Sequence, residues 1–127
     1  MHRSRRYEMT DRTSVLILED EPLIAFALED MLLELGLNDV RLATTIAEAF
    51  RILDAHTPNF AVLDVNIRGD RSYGVAGELK RRGVPFVFAT GYGDAEHPDA
   101  LKTVPTLTKP YCPEDLKSVL AGVTGPV

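Results

Sequence analysis

A single cysteine, Cys112, occurs in the 127 residues, so no internal disulfide framework can form. That fits a reducing compartment, and the expected location is the cytoplasm. No apolar run approaches the roughly 20 residues that a membrane span requires, and the charged opening segment has no apolar stretch of the signal-peptide kind. Excess positive charge is also missing. The chain has 14 Lys and Arg against 19 Asp and Glu, a net charge of −5, which is the wrong sign for a surface that follows a nucleic-acid backbone. The short basic cluster Arg3, Arg5, Arg6 reads as a solvated tail. His2, His56 and His97 have no ligand spacing and read as surface residues. Cys112 reads as a small packing residue rather than a reactive thiol.

What remains is an ordinary soluble composition, 45% apolar and 26% charged, enough for one packed domain. Residues 1–13 are polar and aperiodic and read as a flexible tail, 14–122 as the folded domain, and 123–127 as a second tail. Within the domain, short apolar runs alternate with helical patterns. Val15-Leu16-Ile17-Leu18, Phe60-Ala61-Val62-Leu63 and Pro85-Phe86-Val87-Phe88-Ala89 are continuous and rich in strand formers, as expected of strands buried on both faces. Asp39–Ala43 and Thr103–Thr108 are more polar and read as edge strands; Pro105 favours an edge for the second. Between them, Ile24, Leu28, Met31 and Leu35 recur at helical spacing, as do Ile46, Ala49, Phe50 and Leu53, and then Val75, Ala76 and Leu79. Pro22 opens the first helix, Gly36 and Gly83 stop the first and third, and Thr45 with Glu48 forms a capping box at the second. Asn66 to Ser72 reads as a loop. Asp94 to Lys102 is a weak helix interrupted by Pro98, and a final helix, marked by Leu116, Val119 and Leu120, is opened by Pro113.

Alternating strands and helices imply a parallel sheet covered on both faces and doubly wound. In such sheets the working groups stand beyond the C-terminal ends of the strands. Glu19 and Asp20 close the first run, Asp64 the second buried strand and Thr90 the third, and Lys109 follows the last strand. Three carboxylates brought together repel one another. A divalent cation would relieve that repulsion, and an oxygen-only donor set suits Mg2+. A cation, an ammonium and a hydroxyl around one carboxylate can stabilise a phosphoryl group in transfer, with Asp64, the central acid, as nucleophile. Taken singly each residue also has a plainer reading: Glu19-Asp20-Glu21 as acids at a helix start, Asp64 as a loop acid, Thr90 as a turn cap, Lys109 as a surface lysine.

Taken together, Glu19-Asp20, Asp64, Thr90 and Lys109-Pro110, each after a different strand, resemble the response-regulator receiver domain over roughly residues 14–122. That resemblance implies a flavodoxin-like α/β fold with a five-stranded parallel sheet in the order 2-1-3-4-5. It implies that Asp64 accepts a phosphoryl group from a histidine kinase or a histidine phosphotransfer protein. Asp20 and Asp64 would ligate Mg2+ directly, Glu19 through water and Asn66 through its backbone carbonyl. Thr90 and Lys109 would bind phosphoryl oxygens. Phe88-Ala89-Thr90-Gly91-Tyr92 further resembles the motif of stand-alone receivers common in alphaproteobacteria, whose relatives often work with kinases of the HWE type. The chain would then be a phosphoacceptor switch rather than an enzyme, a monomer or weak homodimer that signals by altered protein binding, with no nucleic-acid or membrane partner.

One departure bears on output. The aromatic that many receivers carry three residues before the lysine is replaced by Thr106, so the readout is assigned either to Tyr92 or to some other group, with Tyr92 only packing at the surface. Two rival readings stand beside this one. The first is a receiver-shaped interaction module that takes no phosphate. The second is a Mg2+-dependent phosphohydrolase, which needs a second acid two positions after the nucleophile, where this chain has Asn66. A flavin-binding fold is weaker still, because no Gly-rich turn follows the first strand.

Overall fold

The computed structural model describes residues 13–91, 101, 104–109 and 112–124. Its elements run β1 (Ser14–Leu18), α1 (Pro22–Glu34), β2 (Asp39–Ala43), α2 (Ile46–Ala55), β3 (Phe60–Asp64), β4 (Asn66–Ile67), β5 (Asp70–Arg71), α3 (Tyr73–Arg81), β6 (Phe86–Thr90), β7 (Thr106–Thr108) and α4 (Pro113–Thr124). Five strands form one parallel sheet in the order β2-β1-β3-β6-β7, and β4 and β5 pair antiparallel as a small separate hairpin. The main sheet is the expected flavodoxin-like arrangement, with β6 and β7 as its fourth and fifth strands.

The alternation of a strand divides the core in two. Leu16, Leu18, Ala61, Leu63, Phe86 and Phe88 face α2 and α3, where Ala49, Leu53, Val75, Ala76 and Leu79 meet them. Val15, Ile17, Phe60, Val62, Val87 and Leu107 point the other way, onto Leu28 and Leu32 of α1 and Leu116 of α4. β1, β3 and β6 are buried along their whole length, because each has a helix layer above and below it. Each fully buried Leu or Phe in these layers contributes about 2 kcal/mol. The Asp39 and Thr106 strands lie at the two edges, as their polarity predicts.

The helix boundaries follow their signals. Pro22 stands at the start of α1, and Pro113 at the start of α4. α1 and α3 end in the same Schellman turn: Leu37 N–H reaches Leu32 O and Gly36 N–H reaches Leu33 O, while Val84 N–H reaches Leu79 O and Gly83 N–H reaches Lys80 O. The left-handed φ of Gly36 and Gly83 makes both turns possible. The capping box is altered in one detail. Glu48 N–H donates to Thr45 Oγ1 at 3.0 Å, but Glu48 Oε1 takes its return bonds chiefly from Thr44, whose N–H lies at 2.7 Å.

Several expectations need correction. On α1 the expected stripe holds at Leu28, with Met31 and Leu35 packed against the core, but Ala25 and Leu32 are buried beside it and Leu23, Phe26 and Leu33 are exposed. Phe50, placed in the core by its spacing, is 37% exposed on α2. His56 is not a free surface residue; its Nε2 lies 2.7 Å from Ser14 Oγ, joining the end of α2 to the start of β1. Cys112 is exposed rather than packed. The presumed loop after Asp64 contains the β4–β5 hairpin. Thr13 is buried, and α4 continues to Thr124. Tyr92, Pro110, His2, His97 and the expected weak helix Asp94–Lys102, Leu101 excepted, lie outside the described residues. Among the described residues no helix is long and apolar enough to cross a membrane.

Candidate functional site

Parallel strands all finish at one edge of the sheet, so the residue after each apolar run arrives at the same place. β1 delivers Glu19 and Asp20, and Glu19 N–H still pairs with Ala43 O at 3.0 Å, extending the ladder one residue past the strand. β3 ends on Asp64, and Val65 N–H holds to Ala89 O of β6 at 3.1 Å. β6 ends on Thr90, whose carbonyl accepts Lys109 N–H at 2.8 Å. That bond fixes the stem of Lys109 beside the central strands.

The side chains converge. Carboxylate oxygens of Glu19, Asp20 and Asp64 lie within 4.8 Å of one another. Lys109 Nζ bridges two of the acids, at 2.6 Å from Glu19 Oε1 and 3.1 Å from Asp64 Oδ2. Glu19 also accepts Glu21 N–H on Oε2, and Asp64 accepts Asn66 N–H on Oδ1. Asp20 Oδ2 accepts the N–H of Arg68 at 2.9 Å. Glu19 is 2% exposed and Asp64 7%, so water screens the cluster poorly and charges act strongly there.

The electrostatics follow from that burial. Burial pushes the Glu19 carboxyl above its usual value, outweighing the bonds from Lys109 and the Glu21 N–H, and the charge of Asp64 pushes the same way. Burial pulls the Lys109 ammonium down, yet its bond to Glu19 and the charges and bonds of Glu19 and Asp64 together carry it above its usual value. One ammonium against three carboxylates leaves the pocket negative. The donor set is oxygen only, and it is net anionic and partly open to solvent through Asp20, which is half-buried. This is the chemistry that suits Mg2+, so the residues present fit that ion. Both oxygens of Glu19 and both of Asp64 already accept hydrogen bonds, whereas Asp20 accepts the Arg68 N–H on Oδ2.

The structure therefore gathers Glu19, Asp20, Asp64 and Lys109 in one pocket and sets Thr90, buried, at the adjoining strand end. Asn66 is exposed, with its N–H turned to Asp64. Thr106 is removed from the cluster, at the first position of β7, paired in register with Phe88. Phe88 stacks edge-on against Tyr73 at 5.8 Å and Phe86 at 5.7 Å. Arg68 is the residue at the site that sequence reasoning missed. No local signal marks it, because its contact with Asp20 joins positions 48 residues apart.

Comparisons with known proteins agree with this geometry. A sequence profile of the response regulator receiver domain matches residues 15–121. The phyllosphere-induced regulator PhyR of Methylorubrum extorquens is 33% identical over 117 residues, which cover 86% of this chain and 42% of that protein. The chain thus spans less than half the length of that curated relative. The solution structure of SdrG from Sphingomonas melonis is similar with a TM-score of 0.78 and 40% identity, covering 89% of this chain and 97% of that one. The crystal structure of the anti-anti-sigma factor PhyR from Bartonella quintana is similar with a TM-score of 0.73 and 26% identity, covering 90% of this chain and 47% of that one.

Proposed function

Because the chain belongs to the response regulator receiver domain family, we propose that it is a phosphoacceptor switch in which Asp64 takes a phosphoryl group from a histidine kinase or a histidine phosphotransfer protein. The observation that carries this reading is the bridging of Glu19 and Asp64 by Lys109 inside a cluster of three carboxylates. A carboxylate oxygen of Asp64 attacks phosphorus, the bond from phosphorus to the donor nitrogen breaks, and the imidazole leaves with the electron pair. Bound Mg2+, held by Asp20 and Asp64 with Glu19 acting through water and the Asn66 carbonyl nearby, would neutralise charge on the phosphoryl oxygens. Lys109 then exchanges its bond to Asp64 for one to a phosphoryl oxygen, and the Thr90 hydroxyl closes on another. Hydrolysis of the acyl phosphate resets the site.

The added charge and acceptors alter the loops around Thr90 and Lys109, and a partner protein binds the two states with different affinity. The likeness to SdrG and the presence of Phe88-Ala89-Thr90-Gly91-Tyr92 support a role of the stand-alone kind, served by a kinase of the HWE type. The anti-anti-sigma relative supports a downstream partner in a sigma-factor pathway. Thr106 carries no aromatic ring, so Tyr92 is assigned the readout in its place.

Intact-mass measurement after incubation with Mg2+ and acetyl phosphate tests the chemistry. The wild type should gain one phosphoryl group and Asp64→Asn none; an unmodified wild type would remove the basis for the proposal.

A further inference from the structure

Each acid of the pocket is held by a donor, but the donors come from different places. Glu19 is held by Lys109 and by the N–H two residues on, and Asp64 by Lys109 and again by the N–H two residues on. Asp20 is held from across the sheet edge, by the main-chain N–H of Arg68 in the β4–β5 hairpin. Arg68 and Gly69 form the two-residue turn of that hairpin, and both have positive φ, +51° and +89°. A pair of left-handed residues between antiparallel strands is the type I′ arrangement. Its first N–H lies outside the hairpin ladder and is free to point elsewhere.

A long, non-glycine residue rarely adopts that conformation without compensation from its surroundings. The hairpin is seated firmly enough to impose it. Ile67 is 1% exposed in the core, and Ser72 N–H closes the base of the loop onto Val65 O at 2.9 Å. The Arg68 side chain extends toward the end of β2, with its Nε 3.5 Å from Thr44 O. One residue thus reaches both neighbouring loops of the site.

We propose that the Arg68–Gly69 turn is a positioning element for the metal ligand Asp20, whose carboxylate the Arg68 N–H holds in the pose that Mg2+ requires. This rests on reading Asp20 as a Mg2+ ligand. A single N–H on Oδ2 leaves lone pairs on both oxygens for a cation, and groups that orient a metal ligand in this way set affinity strongly.

Gly69 gives a clean way to disturb the turn. A Cβ there meets nothing within 4 Å, so its left-handed φ is what a substitution strains. Mg2+ titrations followed by amide chemical shifts should show binding about tenfold weaker in Gly69→Val. Gly69→Asn, which tolerates that conformation, should restore it. Gly36→Val is the control, being a similar left-handed glycine in open space at the end of α1, and its Mg2+ affinity should match the wild type. Equal affinity in Gly69→Val and wild type overturns the proposal. A second measurement avoids that variant: the Arg68 amide proton should exchange slowly in the wild type and at least tenfold faster in Asp20→Ala, and unchanged exchange also overturns it. A wild type that shows no Mg2+-dependent shifts would instead remove the reading of the pocket as a metal site.

Discussion

At the end of the sheet where the strands begin, polar groups are matched with partners that suit them. Ser14 donates its N–H to Asn59 Oδ1, and its hydroxyl is hydrogen-bonded to His56 Nε2. Arg82 on the C-terminal side of α3 satisfies Glu78, the Leu53 carbonyl and the Thr57 hydroxyl. At the end where the strands finish, three carboxylates crowd together, two of them buried and sharing Lys109, and a non-glycine residue is held left-handed above them. The first edge resembles ordinary structural chemistry. The second holds repulsion that folding alone would not select, and such unrelieved charge is characteristic of a site shaped for a ligand.

The strongest way to break this contrast is to remove the cation that Glu19 and Asp64 share. Lys109→Ala leaves Glu19 and Asp64 buried without their counter-ion and should cost about 3 kcal/mol in urea unfolding with chelator present. Added Mg2+ should recover part of that loss, and no recovery would separate the pocket from cation binding. A smaller effect of opposite sign should follow from removing one of the competing charges. Asp64→Asn should raise the unfolding free energy by about 1 kcal/mol without Mg2+. A destabilised Asp64→Asn would mean that the acid serves folding, and the contrast between the two edges would fail.

The smallest effect belongs to the matched edge and sharpens the comparison through pH. The bond from Arg81, then that from Arg82, draws the Glu78 carboxyl down from 4.5 to about 2. A folded-state value below the unfolded one gives stability that is full above the unfolded value and is lost as pH falls toward the folded one. The wild type should therefore be slightly more stable than Glu78→Gln at neutral pH. The gap should close between about pH 4.5 and pH 2, and salt should shrink it, since the pair is exposed. Denaturant midpoints of the two proteins across that range provide the check.

The sequence by itself determined the order of the five strands of the main sheet and which residues stand at their ends. Continuous runs such as Phe60–Leu63 can be buried only as central strands, and parallel connections must bring every strand end to one edge. Asp64, Thr90 and Lys109 were legible for that reason. Only the tertiary structure decided the rest, because those features depend on distance across the fold rather than on neighbours in the chain. The packing of α1 on the sheet added Ala25 and Leu32 to the stripe that spacing marks at Leu28, Met31 and Leu35. His56 found Ser14, 42 residues away, and Arg68 found Asp20, 48 residues away. Local patterns carry periodicity and turn chemistry, but a contact between distant loops is set by where the sheet brings them.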